Sequence, residues 1–419
     1  MERAIVHCPW SQDWKHKVQR GRSNALAGLS VACRIDREHM ALKNLMWLLC
    51  GTVVPSFVFC WTAVWVVRHW AVRWRLVDRP GARKVHTSPT PLGGGLAIWF
   101  AVIVCFGLGQ VFLWAQGSDA LPPRMASWVP AFVQPHLSGL KYQSSKLWVL
   151  LAAGTLLTMV GLIDDWKGLR WQWRLGIQFL VAVVCVVWQG WRFTAFIPWP
   201  WLTGFLSVLW IVALINSFNM LDNMDGLSAG VAAVAAAMLA AVLLLTFDPG
   251  TREPQIFVSG FLLVLLGALL GFLWHNRPPA SIFMGDAGSY FVGFCIAVAT
   301  LLATYTEYRG VRQHAVLAPL CVMAVPLYDM LTVIWIRLRA GRSPFEGDKS
   351  HFSHRLCDLG LSQGQAVLTI YLTTGTCGLG ALLLNRVDLF GAVVIMLMIV
   401  CVLCLIAILE STARRKLKS

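Results

Sequence analysis

The sequence is short of charge. Only 13% of its 419 residues are Asp, Glu, Lys or Arg, whereas a soluble domain carries about 25%. Hydrophobic residues make up 57% of the chain. Polar residues are therefore too few to cover a water-facing surface, and a soluble multidomain protein is excluded.

Acidic residues are scarcer than basic ones, which leaves a formal net charge of +15. A nucleic-acid partner is nevertheless not expected, because the Lys and Arg residues lie at the ends of apolar runs rather than on one helix face. Most of the 12 cysteines fall inside apolar runs, where they behave as small hydrophobic side chains. Neither a disulfide framework nor a structural zinc site is indicated.

Long apolar runs are what the sequence does have. Eleven are close to the length of about 20 residues that crosses a bilayer. They are 45–67, 92–114, 147–163, 175–190, 204–220, 227–247, 256–274, 288–306, 316–338, 366–384 and 390–409. These runs predict an all-α polytopic membrane protein of about 10 to 11 transmembrane helices, with one membrane domain over residues 45–409.

The loop charges predict the orientation of these spans. Segments after odd-numbered spans, together with a basic tail at 410–419, hold most of the Lys and Arg and are expected in the cytoplasm. An odd number of spans then puts the N-terminus outside, although residues 1–44 contain eight Lys and Arg residues. Either the span count differs by one, or residues 1–44 are an extension from a mis-called start, for which Met40 and Met46 are the alternative initiators.

Polar residues follow the odd-numbered spans, so parity places them at one membrane face. The acidic and amide members are Asp164, Asp165, Asn219, Asp222, Asp225 and Asp286. Residues three apart share a helix face, and glycines in FMGDAGS allow close approach of a phosphate. Solvated helix ends and helix caps are the structural alternatives for these residues.

Basic residues occupy two further segments at the same predicted face. DRPGARKVHTSPTPLGGG and FEGDKSHFSHRL contain Lys84, His86, His351, His354 and Arg355. Attraction to anionic headgroups and half of a zinc site are alternatives for these groups. Carboxylates suit a hard divalent cation and basic groups suit phosphates, so the combination predicts phosphoryl transfer from a soluble donor to a lipid acceptor.

These motifs, together with GLIDDW and NSFNMLDNMDGL, resemble the polyprenyl-phosphate N-acetylhexosamine-1-phosphate transferases over about residues 45–409. The resemblance implies a bacterial inner-membrane enzyme with a cytoplasmic active site. Such an enzyme transfers a sugar phosphate, most often GlcNAc-1-phosphate, from a UDP-N-acetylhexosamine to undecaprenyl phosphate and releases UMP. The reaction uses Mg²⁺ or Mn²⁺ and initiates a cell-surface glycan. A homodimer is compatible with the resemblance.

The resemblance also implies roles for individual residues. Asp286 is the expected metal ligand, with Asp164 or Asp222 near it. Asp164 is the expected base for the lipid phosphate with Asp165 assisting, and a covalent aspartyl intermediate is the alternative. The remaining groups comprise a nucleotide-binding set (Asn219, Asp225 and Phe283), a lipid-phosphate set (Lys84, His86 and Thr90) and a donor diphosphate or sugar set (His351, His354 and Arg355).

Two positions depart from the family pattern. Asn223 stands where Gly is usual, and Ser353 stands where His is common. The second departure favours the GlcNAc-type branch over the phospho-MurNAc-pentapeptide branch, which has consecutive histidines in this loop. A secondary transporter is the alternative from another class, but it predicts internal repeats and charge near the midplane of the membrane.

Overall fold

The structure is a computed structural model. It describes residues 43–78, 89–117, 133–134, 137–193, 197–246, 255–305 and 313–416. Residues 1–42, which make up nearly all of the predicted N-terminal extension, lie outside the described residues.

The described chain is almost entirely helical, as the composition predicts. In chain order the helices are α1 (Lys43–Ala71), α2 (Gly94–Gly117), α3 (Leu137–Lys167), α4 (Trp171–Gln189), α5 (Pro200–Leu221), α6 (Leu227–Leu245), α7 (Ile256–Asn276), α8 (Gly285–Tyr305), α9 (Ala318–Val322), α10 (Ala324–Arg339), α11 (Phe352–Asp358), α12 (Gln363–Leu384) and α13 (Leu389–Lys416). Ten of them are long and apolar enough to cross a membrane, counted over the described residues. The all-α polytopic class is confirmed.

The ninth predicted span, 316–338, is not one continuous helix. A short 3-10 turn leads into α9, which ends at Val322, and α10 begins after Met323. Pro326 explains the interruption, because its ring clashes with the carbonyl four residues earlier, at Val322. The 16 residues of α10 extend only about 24 Å, which is less than the hydrocarbon thickness of about 30 Å.

Helix α8 lies at the centre of the bundle and packs against α2, α3, α5 and α7. Two glycines let its neighbours approach its first turn. A Cβ on Gly161 of α3 would lie 2.5 Å from the backbone of Asp286 and Ala287, and one on Gly95 of α2 would lie 2.1 Å from the backbone nitrogen of Gly288. The N-terminal turn of α8 is therefore held between two helix backbones.

A two-stranded antiparallel sheet adjoins the same turn. Strand β1 (Val77–Asp78) pairs with β2 (Thr90–Pro91). The backbone N–H of Phe283 donates to the carbonyl of Pro91 (2.9 Å), and the N–H of Gly94 donates to the carbonyl of Phe283 (2.9 Å). These bonds attach the segment before α8 to the start of α2.

The last helix extends further than its apolar run. The sequence predicts a basic tail over 410–419, and α13 remains helical into this segment, as far as Lys416. The side chain of Glu410, at the start of the segment, is buried.

Candidate active site

The carboxylate of Asp165, near the end of α3, accepts two backbone hydrogen bonds at the start of α8. The N–H of Asp286 donates to Oδ1 (2.9 Å) and the N–H of Ala287 donates to Oδ2 (3.2 Å). The first N–H groups of a helix have no partner within it, and the helix dipole favours a negative charge there. Gly285 has a positive φ of 73°, and a Cβ on it would lie 2.6 Å from Asp165 Oδ2. Asp165 thus fixes the backbone from which Asp286 projects.

The neighbouring carboxylate of Asp164 is buried and has three donors. The N–H of Leu169 donates to Oδ1 (2.6 Å), while Arg174 Nη1 (2.9 Å) and the Tyr290 hydroxyl (3.0 Å) donate to Oδ2. Arg174 comes from the first turn of α4, and Tyr290 lies one turn beyond Asp286 on α8. Two adjacent aspartates therefore do different things, as their divergent directions on a helix predict.

Asp286 lies among polar side chains from three helices. Asn219 of α5 donates from Nδ2 to Asp286 Oδ1 (2.5 Å) and to Ser289 Oγ (3.0 Å). Arg174 Nη1 lies 3.6 Å from Asp286 Oδ2. One guanidinium therefore serves as the shared counter-charge of Asp164 and Asp286.

Asp222 and Asp225 lie in the turn between α5 and α6. Asp222 follows the last residue of α5, and Asp225 Oδ2 accepts the N–H of Ala280 (2.9 Å). Burial raises the pKa of Asp222 to about 7, and the nearby charges of Asp165 and Asp225 add to that rise. The three residues of the predicted Asn-Asp-Asp stripe are not on one helix face, because α5 ends at Leu221.

The turn is tied to the segment that leads into α8. Asn276 accepts the N–H of Gly226 at Oδ1 (2.9 Å) and donates from Nδ2 to the carbonyl of Ile282 (2.8 Å). Tyr371 of α12 donates its hydroxyl to the carbonyl of Gly226. Gly226 has a φ of 75°, which favours glycine at this position.

His351 is held by a buried aspartate. Asp329 of α10 is fully buried, and its Oδ2 lies 3.0 Å from His351 Nδ1, while its Oδ1 accepts the N–H of Phe352. An aspartate inside an apolar run is costly unless it faces the protein interior, and Asp329 does so. His354 is half-buried, and burial together with the nearby His351 and Lys349 lowers its pKa.

Arg355 is directed into the protein. It is 2% exposed, and its guanidinium donates to Glu410 Oε2 (2.8 Å), the carbonyl of Ser350 and Thr332 Oγ1 (3.0 Å). These bonds attach α11 to α10 and α13. In this arrangement Arg355 orders the histidine segment, and its predicted contact with a donor phosphate stays a prediction.

The two departures from the family pattern contact each other. Ser353 donates its hydroxyl to Asn223 Oδ1, and Asn223 donates from Nδ2 to the carbonyl of Met220 (2.8 Å). The bond between Ser353 and Asn223 joins the histidine segment to the α5–α6 turn. The loop before His351 is held separately, by the ion pair between Asp348 and Arg337 (3.0 Å).

The predicted lipid-phosphate residues are only partly described. Thr90 is buried in β2 opposite Asp78. Lys84 and His86 lie outside the described residues. Strand β2 is nevertheless joined through Phe283 to the segment that carries Asp286, so the two sequence motifs come together.

Arg174 and Tyr290 are the residues that sequence reasoning missed. Arg174 stands in WRLG at the start of an apolar run, where a cation is normally explained by the membrane interface. Tyr290 is one of only six tyrosines and lies four residues after Asp286, which is one helical turn. That spacing was the available signal for Tyr290, whereas only the fold brings Arg174 to the carboxylates.

The donor set has the chemistry that Mg²⁺ prefers. Carboxylate oxygens of Asp286 and Asp164 face a single guanidinium, and an amide lies beside them. Within the described ranges, no group of three or more His, Cys, Asp or Glu side chains forms a closed cage. Mg²⁺ commonly binds through one or two carboxylates plus substrate phosphates and water. The residues therefore fit a cation that arrives with a diphosphate rather than one held by protein ligands alone.

Comparison with known proteins places this geometry in a family. The family model described as "Glycosyl transferase family 4" matches residues 147–304, which run from α3 to α8 and include Asp164, Asp165 and Asp286. A Mycobacterium leprae protein named decaprenyl-phosphate N-acetylglucosaminephosphotransferase is 36% identical over 335 residues, covering 74% of this chain and 77% of the relative. The chain belongs to glycosyl transferase family 4.

Other relatives of this family 4 member carry similar names. A Bacillus subtilis protein named probable undecaprenyl-phosphate N-acetylglucosaminyl 1-phosphate transferase is 28% identical over 84% of this chain and 89% of its own length. A Salmonella typhi protein named undecaprenyl-phosphate alpha-N-acetylglucosaminyl 1-phosphate transferase is 29% identical over 76% of this chain and 79% of its own length. The family resemblance drawn from the motifs is confirmed.

Proposed function

We propose that the protein transfers GlcNAc-1-phosphate from UDP-GlcNAc to a polyprenyl phosphate, undecaprenyl phosphate in a bacterial inner membrane, and releases UMP. The observation that carries the proposal is the convergence of Asp164, Asp165 and Asp286 from α3 and α8 onto one polar cluster with Asn219. The names of the relatives support the choice of a polyprenyl phosphate acceptor and a GlcNAc donor.

The reaction needs a neutralised donor diphosphate and an activated acceptor phosphate, and the chain's own residues serve both needs. Two anionic phosphates must approach each other, and their repulsion is strong in a partly dry site. Bound Mg²⁺ would neutralise the donor diphosphate, and Asp286 with Asp164 would hold it. Asp165 and Asn219 hold Asp286 in place, and Arg174 balances the carboxylates before the substrates bind.

The carboxylate of Asp164 is held in a fixed orientation. Tyr290 and Arg174 both donate to its Oδ2, which fixes the orientation of the carboxylate. We propose that Asp164 positions and activates the acceptor phosphate oxygen and that this chemistry occurs at the cytoplasmic face. The positive-inside bias of the loops supports that orientation, together with a cytoplasmic C-terminus.

The phospho-MurNAc-pentapeptide branch is the second candidate for the donor. Ser353 interrupts the histidine segment and bonds to Asn223, which supports the GlcNAc branch. A transporter is disfavoured, because the carboxylates of Asp164, Asp165 and Asp286 gather at one end of α3 and α8.

Release of UMP from purified protein tests the proposal. With UDP-GlcNAc, undecaprenyl phosphate and Mg²⁺, UMP should form; omission of the lipid or addition of EDTA should stop it. Asp286→Asn should lower turnover by at least about 100-fold, on the scale of losing a group that stabilises transition-state charge. Asp388→Asn, at an exposed carboxylate between α12 and α13, is the matched control and should match the parent. Lipid-independent UMP formation, or a fully active Asp286→Asn, would contradict the proposal.

A panel of donors separates the two branches. Equal concentrations of UDP-GlcNAc, UDP-GalNAc and UDP-MurNAc-pentapeptide are offered to the parent protein, and the lipid product is identified by mass. UDP-GlcNAc should give the highest kcat/KM. A preference for the pentapeptide donor would move the protein to the other branch.

A further inference from the structure

A cavity of about 440 Å³ lies at the opposite end of the bundle from the carboxylates. The direction of each helix establishes this. Helix α3 ends at the carboxylates and contributes its start to the cavity, whereas α4 and α8 begin at the carboxylates and contribute their far ends, through Gln189 and Leu302. Lys146 lines the cavity 18 positions before Asp164 on α3, which is about 27 Å along the helix.

Among the described residues that line the cavity, Lys146 is the one that carries a charge. Within the part of the chain that the structure describes, its one recorded contact is with the Tyr142 ring, 5.9 Å from Nζ to the ring centroid. A half-buried ammonium at this depth is costly unless it meets an anion or reaches the interface. Within the described lining, this ammonium is therefore one positive charge that no carboxylate faces.

Other lining groups are hydrogen-bond donors. Tyr142, Gln143, Gln189 and Ser138 line the cavity with hydroxyl and amide groups. Trp191 also lines it, is 2% exposed, and its indole Nε1 has no hydrogen-bond partner among the described residues. A buried donor without an acceptor costs about 1 to 3 kcal/mol. A ligand rich in acceptor oxygens matches this lining.

Apolar side chains also line the cavity. Ile256, Phe257 and Val258 form the first turn of α7, and Leu140 and Leu302 face the cavity from α3 and α8. The lining therefore combines an ammonium group, hydrogen-bond donors and hydrocarbon at one end of the bundle. That combination matches the headgroup and proximal acyl chains of a lipid.

We propose that this cavity binds an anionic glycerophospholipid, with its phosphodiester at Lys146 and its acyl chains along the start of α7. The single positive charge matches the single negative charge of a phosphodiester rather than the dianionic monoester of a polyprenyl phosphate. The site is separate from the carboxylate cluster and serves to hold α3, α4, α7 and α8 together at the far face of the bundle.

Native mass spectrometry of the full-length protein tests the proposal. The protein is extracted from nanodiscs of equimolar palmitoyl-oleoyl phosphatidylglycerol and phosphatidylcholine, and retained lipids are counted. One phosphatidylglycerol should be retained in preference to phosphatidylcholine. Lys146→Met should lower that preference about fivefold, which is the change expected for one cation at a membrane surface. Lys146→Arg should preserve it.

Lys141→Met provides the matched control, because Lys141 is on the same helix but is exposed and outside the cavity lining. It should retain phosphatidylglycerol as the parent does. UMP release should be unchanged at saturating substrate in all three variants, so failure here is distinguishable from failure of the proposed transferase activity. Equal retention of the two lipids, equal effects at positions 146 and 141, or displacement of phosphatidylglycerol by undecaprenyl phosphate would each overturn the proposal.

Discussion

Asp165→Asn tests whether this carboxylate acts by holding the first turn of α8. The parent side chain accepts the N–H groups of Asp286 and Ala287 at its two oxygens. An asparagine keeps one acceptor and turns an amide donor towards the other N–H. Loss of one hydrogen bond to a charged group costs about 1.5 to 3 kcal/mol, and loss of the favourable charge at the helix start adds about 0.3 to 1 kcal/mol.

The expected total is about 2 to 4 kcal/mol. If that free energy normally holds Asp286 in its active position, losing it lowers turnover by about 30- to 1,000-fold. The Mg²⁺ concentration for half-maximal UMP release should also rise, because the displaced carboxylate is the proposed metal ligand. Both quantities come from initial rates of UMP release measured across a Mg²⁺ titration.

A second helix cap supplies the control. Ser362 and Gln365 form a capping box at the exposed start of α12, and Ser362→Ala should cost about 1 kcal/mol of stability. Its melting temperature should fall while its turnover stays within twofold of the parent. If Asp165→Asn keeps parental turnover and Mg²⁺ dependence, the positioning role assigned to Asp165 is refuted.

Three further outcomes follow from the site. Arg174→Gln leaves Asp164 and Asp286 without their shared counter-charge, so a Mg²⁺ titration should show half-saturation at a lower concentration while turnover falls at least tenfold. The pKa of Asp222 is raised to about 7, so the folded protein holds the proton of this carboxyl more tightly than the unfolded chain does. The stability that the bound proton contributes is lost as the pH rises towards 7. Asp222→Asn should therefore raise the melting temperature more at pH 8 than at pH 5, and an equal shift at both would contradict the assignment. Gly161→Ala should impair folding and activity through its contact with the α8 backbone, whereas Gly176→Ala, with nothing within 4 Å of its Cβ, should be neutral; thermal melts of the pair decide this.

The carboxylate cluster shows how far sequence alone could go. Parity of the apolar runs placed Asp165 and Asp286 at the same membrane face, and the structure brings them into direct contact. The different roles of Asp165 and Asp286 could not be predicted from the sequence, because the roles depend on which helix end each carboxylate oxygen contacts. The ninth run was predicted as one continuous helix, since hydropathy averages over Pro326 and does not register a steric clash with the carbonyl of Val322.

For the basic segments, the tertiary structure shows more than the sequence could predict. The sequence predicted Arg355 as a phosphate ligand because a guanidinium suits bidentate phosphate recognition, and that role stays a prediction. The burial of Arg355 against Glu410 could not be predicted, because it requires α13 to extend past its apolar run. The contact between Ser353 and Asn223 joins positions 130 residues apart, so no local pattern could predict it.

Composition and the spacing of polar residues were enough to predict a helical membrane protein and its candidate carboxylates, because a polar group is costly to bury in lipid. The family was identified by the resemblance of the motifs. Only the tertiary structure decided that Arg174 and Tyr290 serve Asp164, that Asp329 holds His351, and that a charged cavity forms at the far face. Those contacts depend on which helix faces meet, and the helix faces are set by close packing at residues such as Gly95 and Gly161, over distances that local sequence does not encode.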